Sequence, residues 1–390
     1  MFYKNFNFEI MTNVVSGPDS INKIHEFLVS KNYNRILVIQ DQNLFSNSNY
    51  VKKFIKKIEK KYKAKLLFYE GYEEPTYQKL DFTINKLNSQ KNNLFDCIIA
   101  IGGGSAIDFA KGVATILTNK GKSIKYRGFP SNLNLSIPIV AIPSTAGTGT
   151  ELAYNAVFTD TKSKKKLGIN TKNNYPKLSI LDPKILSSCP KKVIFNSGMG
   201  ALIRSIDTMC NKKSNEISEI FSKNAFKLLF NTLPKFMNKR KNLEYCSRMQ
   251  WGAYLSVAAL LNSSSGPAGA LAYYLSTNYK IPQGIGYGIA GLHFFKQNHE
   301  KGYYGYSKFY ELINKKNNNK ILSEKAKSIY VINELYRIYE KGKKFVKKLK
   351  IKDIEIDKIS TNVKKGNISN NPVKLNQKDL KKIIQKIIKK

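Results

Sequence analysis

The feature that most constrains the fold is the alternation of short apolar runs with helix-periodic segments over the first 184 residues. The apolar runs have strand length and lie at 35–40, 64–69, 97–101 and 137–142. One helix-periodic segment, 20–30, precedes them, and two others, 50–62 and 78–90, lie between them. Apolar strands that alternate with helices are typical of βαβ units, in which a parallel sheet is covered on both faces. The sequence therefore predicts an α/β domain with a parallel sheet.

The pattern changes near residue 185. Strand-like runs stop after the segment 181–183, and helical periodicity follows at 216–232, 243–262, 267–279, 305–315 and 323–349. We therefore place a domain boundary between residues 184 and 185. Residues 1–184 are predicted to form the α/β domain, and residues 185–390 are predicted to form an all-helical domain.

Net charge is the most unusual property of the composition. The chain has 66 Lys and Arg residues against 27 Asp and Glu residues, which gives a formal charge of +39. Such an excess is compatible with binding to nucleic acid or to an anionic membrane. Only six of the cationic residues are arginine, however, and arginine is the residue that reads phosphates and base edges with forked geometry. We interpret the charge as a lysine-rich solvated surface, and a nucleic-acid-binding function is the least favoured hypothesis.

The sequence gives no indication of a membrane or secreted protein. The N-terminus has no signal-peptide pattern, and no run reaches the roughly eighteen uncharged apolar residues of a membrane span. The four cysteines are scattered and include no C-x-x-C pair. This pattern favours a reduced, cytoplasmic protein that has no cysteine metal site.

Two loops that follow apolar runs carry residues suited to binding a ligand. The first is the glycine-rich turn at 102–105, which opens a helix, and the second is the hydroxyl-rich segment PSTAGTGTE at 143–151. Glycine lets the backbone approach a ligand closely, and a helix N-terminus offers free N–H groups to phosphate. In a parallel sheet such loops form a crevice at the carboxyl ends of the strands, which predicts a phosphorylated cofactor. The residues assigned to this site are Gly102, Gly103, Gly104, Ser105, Asp108, Thr145 and Thr148.

Asp41 follows the apolar run at 35–40. A carboxylate at that point can accept hydrogen bonds from both ribose hydroxyls of an adenosine and repel a 2′-phosphate. This interpretation favours NAD(H), with NADP as the alternative. An aspartate that caps a helix or lies in an ordinary loop would give the same pattern, so both interpretations stay open at this point.

Taken together, the motifs resemble the iron-containing (group III) alcohol dehydrogenase family. The resemblance covers nearly the whole chain and rests on VSGPDS at 15–20, EPT at 74–76, GGGSAID at 102–108, PSTAGTGTE at 143–151 and LDP at 181–183. Within the family, the segments 165–170 and 281–286 are most similar to the branch that oxidises the terminal hydroxyl of an eight-carbon sugar acid, 3-deoxy-manno-octulosonate 8-oxidase.

The resemblance implies a Rossmann-like NAD(P)-binding domain followed by an all-helical domain, the architecture shared with dehydroquinate synthase. It also implies catalysis in the cleft between the two domains. The residues Glu74 and Lys166 lie in segments of this resemblance and are expected at the cofactor site.

The resemblance also implies a divalent iron or zinc ion, held by one Asp and three His of the helical domain, that polarises the substrate alcohol. In this sequence the four ligand positions are Gly200, Arg204, Gly269 and Gln283. None of the chain's three histidines has ligand spacing with a carboxylate. A guanidinium at position 204 would oppose a divalent cation at short range. We therefore predict that there is no catalytic metal.

Three residues near these positions are candidates for metal-free catalysis. Arg204 could pair with a substrate carboxylate or phosphate, or stabilise an oxyanion, although a structural pair with Asp207 on the same helix face is an equal alternative. Tyr273 stands at the position of a further family histidine and could donate a proton together with Lys166, as Tyr–Lys couples do in other dehydrogenases. Core packing is the alternative for Tyr273. Gln283 could hydrogen-bond a hydroxyl but cannot act as an acid or a base.

The leading hypothesis is an NAD(P)-linked, metal-independent oxidoreductase that acts on a small polar or anionic alcohol or aldehyde, such as a sugar acid. One alternative is a catalytically degenerate homologue that retains nucleotide binding as a partner or regulatory subunit. Another is an enzyme that uses NAD for transient oxidation of a sugar. The expected partner is a small molecule and a homodimer is considered, while neither a membrane nor nucleic acid is expected.

Overall fold

A computed structural model describes residues 5–70, 74–89, 94–163, 165–314, 322–342, 355–363 and 365–388. The chain divides into two compact units. We call them the sheet unit, which comprises Ile10–Pro190 and Lys239–Gln250, and the helical unit, which comprises Met1–Glu9, Lys191–Asn238 and Trp251–Lys390. The boundary predicted between 184 and 185 lies shortly before the end of the sheet unit's first segment, because the residues that follow the last strand have no strand pattern.

A parallel sheet forms the centre of the sheet unit. In chain order the strands are β1 (Asn13–Ser16), β2 (Arg35–Asp41), β3 (Lys63–Tyr69), β4 (Cys97–Gly102), β5 (Ile139–Pro143), β6 (Asn155–Ala156), β7 (Thr159–Asp160), β8 (Lys165–Lys166), β9 (Ile169–Asn170) and β10 (Leu178–Leu181). The parallel sheet has the order β1-β10-β5-β4-β2-β3, and the short strands pair antiparallel, β6 with β9 and β7 with β8. The α/β class predicted from the sequence is confirmed.

Helices cover both faces of this sheet. They are α1 (Ile24–Ser30), α2 (Gln42–Asn47), α3 (Asn49–Lys61), α4 (Tyr77–Asn88), α5 (Gly104–Ile116) and α6 (Pro183–Leu186). Successive strand residues point to opposite faces. In β2, Leu37 and Ile39 therefore pack with residues of α4 and α5, whereas Ile36 and Val38 pack with residues of α1 and α3. Both faces are buried, which explains why the strands are continuous apolar runs.

The helical unit consists of helices and their connections in the part of the chain that the structure describes. The helices from residue 191 onward are α7 (Lys191–Met209), α8 (Glu216–Phe236), α9 (Leu243–Leu261), α10 (Pro267–Tyr279), α11 (Gln283–Glu300), α12 (Tyr310–Ile313), α13 (Glu324–Gly342), α14 (Ile356–Asn362), α15 (Lys365–Ser369) and α16 (Gln377–Ile388). The sheet unit includes the first part of α9, up to Gln250. Among the described helices, none has both the length and the apolar character that crossing a bilayer requires.

Helices α7 and α11 approach each other closely at glycine residues. Gly284 and Gly291 lie seven positions apart and so share one face of α11. A Cβ atom at Gly284 would collide with the backbone oxygen of Asn196 in α7, and one at Gly291 would collide with Cγ2 of Ile203. The Asn196 side chain also accepts a hydrogen bond from the N–H of Ile285, at 2.8 Å. The spacing of the two helices therefore depends on glycine at this contact.

Two glycines of α11 allow this contact to be tested. Gly284→Ala should lower the free energy of unfolding by about 1–3 kcal/mol, because the new methyl group meets backbone that cannot rotate away. Gly286→Ala is the matched control, since its Cβ atom would lie 3.4 Å from the nearest atom, Cα of Ala272. The control should be neutral or stabilised by up to about 1 kcal/mol through helix propensity. Equal urea-unfolding midpoints for the two variants would contradict the contact.

Candidate functional site

The carboxyl end of β4 begins the first candidate loop. Gly102, the last residue of this strand, has a φ of +157°, and a Cβ atom there would lie 2.9 Å from Cβ of Asp41. The N–H of Ser144 donates a hydrogen bond to the carbonyl of Gly102 at 2.8 Å, which joins the loop after β5 to the end of β4. Glycine is required at position 102 because the turn passes directly against Asp41.

The glycine-rich turn and the hydroxyl-rich loop are in contact. A Cβ atom at Gly104 would lie 2.6 Å from Cγ2 of Thr148, and one at Gly103 would lie 3.4 Å from Cγ2 of Thr145. Helix α5 begins at Gly104, and no side chain caps its first turn, which includes Ser105. Threonine hydroxyls thus lie beside an uncapped helix N-terminus, an arrangement that suits a phosphate group.

Asp41 has the helix-capping role that the sequence left open as an alternative. Its Oδ1 atom caps α2 and accepts hydrogen bonds from the N–H groups of Asn43 and Leu44, at 2.9 and 3.0 Å. The Cβ atom and backbone N of Asp41 also lie beside Gly102 of the glycine-rich turn. The capping role is thus observed, and the contact of Asp41 with a ribose stays a prediction.

Both carboxylate oxygens of Asp108 bind protein groups. Its Oδ1 atom accepts a hydrogen bond from the hydroxyl of Thr150, and its Oδ2 atom accepts one from the N–H of Val157 at 3.2 Å. Burial raises the pKa of this carboxyl to about 6, against the opposing effects of Lys111 and of these hydrogen bonds. Because both oxygens are engaged by protein groups, we now place Asp108 as a positioning residue rather than as a cofactor ligand.

Lys166 and Glu74 form an ion pair in the sheet unit. The Lys166 side chain is 2% exposed, and burial lowers its pKa to about 7, whereas the Glu74 carboxylate favours the charged ammonium. The structure thus brings together two residues that the resemblance assigns to the cofactor site. Tyr273, the proposed partner of Lys166, lies on α10 in the helical unit. The Tyr–Lys couple stays a prediction.

Two of the four metal-ligand positions have no room for a side chain in the helical unit. A Cβ atom at Gly200 would lie 2.8 Å from Cα of Gly284, so backbone fills this position. A Cβ atom at Gly269 would collide with Oγ of Ser265 and would lie 3.3 Å from the hydroxyl of Tyr287. A side chain at Gly200 would require the backbone of α7 or α11 to move, and one at Gly269 would displace the Ser265 hydroxyl and crowd Tyr287.

A hydrogen-bonded cluster surrounds Arg204, and we call it the Arg204 cluster: Arg204, Asp207, Ser256, Gly266 and Tyr287. Arg204 is 9% exposed, its Nη1 donates to Ser256 Oγ at 3.2 Å, and its Cζ lies 5.9 Å from the ring centre of Tyr287. Asp207 Oδ2 accepts hydrogen bonds from the Tyr287 hydroxyl and the Gly266 N–H, at 2.8 and 2.9 Å. The helical spacing pointed to Arg204 and Asp207 but gave no sign of Tyr287, which lies 80 residues from Asp207.

The donor set does not fit the iron or zinc ion that the resemblance implies. Gln283, the first residue of α11, offers only a neutral amide, and the buried guanidinium of Arg204 would repel a divalent cation. Within the described ranges, no group of three or more His, Cys, Asp or Glu side chains is arranged to hold a metal. These residues supply neither the ligands nor the negative charge that such an ion needs.

The buried carboxyl group of Asp207 should make the free energy of unfolding depend on pH. Burial raises the pKa of Asp207 to about 6 from 3.8, so the folded protein retains a proton that the unfolded chain releases between these values. Protonated Asp207 therefore contributes its full stability below pH 3.8, the pKa of the unfolded chain, and this contribution is lost as the pH rises through about 6. Relative to wild type, Asp207→Asn should therefore gain up to about 3 kcal/mol in free energy of unfolding between about pH 4 and about pH 7. A difference in urea unfolding that does not change with pH would contradict this.

Family models match both parts of the chain. The model described as "Iron-containing alcohol dehydrogenase" matches residues 11–183, and the model described as "Fe-containing alcohol dehydrogenase family, C-terminal" matches residues 194–388. The two matches together cover the sheet strands, the candidate cofactor loops and the helices from α7 onward.

Curated relatives match the chain over part of its length. It is 32% identical over 190 residues to alcohol dehydrogenase 4 of Schizosaccharomyces pombe, which covers 49% of this chain and 45% of the relative. It is 30% identical over 190 residues to sulfoacetaldehyde reductase of Bilophila wadsworthia, which covers 49% of each chain. The match thus spans about half the length of these relatives.

Solved structures share the fold over almost the whole chain. A 1,3-propanediol oxidoreductase superimposes with a TM-score of 0.88 at 23% identity and covers 98% of this chain and 100% of its own. Sulfoacetaldehyde reductase from Bifidobacterium kashiwanohense, solved in complex with NAD+, superimposes with a TM-score of 0.86 at 20% identity and 99% coverage of each chain. At these identities the likeness shows the fold.

Proposed function

Since this chain belongs to the iron-containing alcohol dehydrogenase family, we propose that it is an NAD(P)-linked oxidoreductase that interconverts a small polar alcohol and its carbonyl compound. The observation that carries the proposal is the contact of the glycine-rich turn with Thr145 and Thr148 beside the uncapped N-terminus of α5. Backbone N–H groups, hydroxyls and a helix dipole are the groups that hold a dinucleotide pyrophosphate. The fold-related reductase solved with NAD+ supports this cofactor.

NAD(H) is the proposed cofactor, with NADP as the alternative. Asp41 supports NAD(H), because it lies at the end of β2 beside Gly102 and its carboxylate would repel a 2′-phosphate. The resemblance assigns Glu74 and Lys166 to the same cofactor site, and their ion pair would hold the Lys166 ammonium in a fixed position there.

We propose that the reaction does not use a metal. Bound NAD(P)H would supply the hydride for carbonyl reduction. Arg204 would place a fixed positive charge near the oxygen on which negative charge develops. Tyr273 remains the candidate proton donor, and Gln283 could orient a substrate hydroxyl. Gly200 and Gly269 support this proposal, because glycine has no side chain with which to bind a metal and neighbouring atoms lie close to both positions.

The proposed substrate is anionic, such as a sugar acid. Arg204 is buried and permanently charged, so it could recognise a carboxylate or phosphate more strongly than a surface lysine could. The similarity of the segments 165–170 and 281–286 to the sugar-acid branch supports the same class. Relatives named for sulfoacetaldehyde and for 1,3-propanediol support a small polar substrate.

The second candidate is a catalytically degenerate homologue that binds the nucleotide as a partner or regulatory subunit. The Arg204 cluster favours this candidate, because the Tyr287 hydroxyl donates its hydrogen bond to Asp207 within the protein rather than to a substrate. Turnover separates the two candidates, because both would bind NADH.

The metal-free proposal predicts a low metal content in the purified protein and turnover that does not depend on metal. Protein purified without added metal should bind NADH and should contain iron and zinc well below one ion per chain, by elemental analysis. Extended treatment with a chelator should leave turnover unchanged, since these residues do not fit the family's metal centre. Stoichiometric metal, or turnover lost on chelation and restored by iron or zinc, would overturn the proposal.

The anionic-substrate proposal predicts a selective effect of Arg204. In a panel of sugar acids and neutral alcohols of similar size, Arg204→Gln should raise KM for the acids about tenfold or more, the loss of one charge-assisted contact. KM for the neutral compounds and the Kd of NADH should change little, whereas kcat should fall for both classes because Arg204 would also stabilise the developing oxyanion. Arg248→Gln is the control, because it removes an exposed arginine. An equal rise in KM for acids and for neutral compounds would contradict the anionic-substrate proposal, and wild-type protein that binds NADH without turnover would favour the degenerate homologue.

A further inference from the structure

A buried lysine holds the chain that follows the hydroxyl-rich loop. Lys111 lies on α5 and is 0% exposed. Its Nζ atom donates to the carbonyl oxygen and the hydroxyl of Thr150, at 2.6 and 2.8 Å, and to the carbonyl oxygens of Ala153 and Asn155, at 2.6 and 3.0 Å. One ammonium group thus binds the backbone at three residues of an irregular segment.

Asp108 completes the attachment of this segment. It lies three residues before Lys111, so both side chains leave the same face of α5. The Thr150 hydroxyl accepts from Lys111 and donates to Asp108, and the Val157 N–H donates to the other carboxylate oxygen. We call Asp108, Lys111 and Thr150 the loop clamp.

The loop clamp is a costly way to stabilise a fold. Burial lowers the pKa of Lys111 to about 8, although Asp108 and Glu151 favour its charged form. Desolvation offsets much of the attraction between buried opposite charges, so we ascribe the clamp to conformational specificity rather than to net stability. An apolar side chain could not satisfy the carbonyl oxygens that Lys111 binds. The clamp therefore selects one conformation of the segment 150–157.

The segment 150–157 continues directly from the hydroxyl-rich loop at 143–151. The clamp begins at Thr150, two residues after Thr148, whose methyl group lies against Gly104. Gly104 is the first residue of α5, and Lys111 lies about two turns further along the same helix. Helix α5 thus holds the hydroxyl-rich loop from one side through Gly104 and from the other through the clamp.

We propose that Lys111, acting through Thr150 and Asp108, is a positioning residue for the cofactor site. It holds the loop 143–157 against the N-terminus of α5, so that hydroxyl and N–H groups are in place before a nucleotide binds. The inference rests on the proposed NAD(P) function. Lys111 acts from the interior and does not touch the cofactor.

Thr150 provides the sharpest test, because valine has almost the shape of threonine without the hydroxyl. In NADH titrations followed by fluorescence, Thr150→Val and Lys111→Met should raise Kd about tenfold, the equivalent of one lost charge-assisted hydrogen bond. KM for the cofactor should rise while kcat at saturating cofactor changes little. Thr150→Ser retains the hydroxyl and should bind NADH as wild type does.

Leu28→Ala is the stability control, because Leu28 is buried on α1, at the other face of the sheet. It should lower the unfolding midpoint without changing the Kd of NADH. If Lys111→Met does not fold, Thr150→Val decides the test. Wild-type affinity in folded Thr150→Val, or an equal loss of affinity in Leu28→Ala, would overturn the positioning role and leave the proposed function intact. Wild-type protein that does not bind NADH would overturn both.

Discussion

The close passage of Gly102 against Asp41 is the constraint on which the candidate cofactor site of the sheet unit depends. A side chain at position 102 would meet Cβ of Asp41 at 2.9 Å and Cβ of Ala106 at 2.8 Å, so it would separate the end of β2 from the first turn of α5. The carbonyl of the same residue anchors Ser144. The ends of β2, β4 and β5 and the start of α5 therefore converge only because position 102 has no side chain.

Glycine has opposite consequences in the two units. In the sheet unit, the glycines at 103 and 104 leave the start of α5 uncapped and bring threonine hydroxyls beside it, an arrangement that a ligand can use. In the helical unit, Gly200 and Gly269 let backbone and side chains of neighbouring residues fill the positions where a metal ligand would stand. A glycine in place of a ligand therefore indicates a closed position here, and not an open cavity.

The sequence predicted what depends on local pattern and missed what depends on distant partners. The strands around β4, the start of α5 and the contact of two loops follow from apolar runs, glycines and the rules of parallel sheets. Lys111 was missed because a lysine in a helical pattern is normally exposed, and its carbonyl partners are 39 to 44 residues away. Asp207 was identified as a partner of Arg204, but its hydrogen bonds go to Gly266 and Tyr287, which the helical spacing could not reveal.

The charge of +39 is therefore less informative than the location of a few cations. An exposed lysine costs little and interacts weakly because water and salt screen it. A buried cation persists only where specific groups compensate its lost hydration. Lys111 has loop carbonyls, Lys166 has Glu74, and Arg204 has Ser256 and the charge of Asp207. Burial, which composition cannot report, thus distinguishes the cations that organise the candidate sites from those that only solvate the surface.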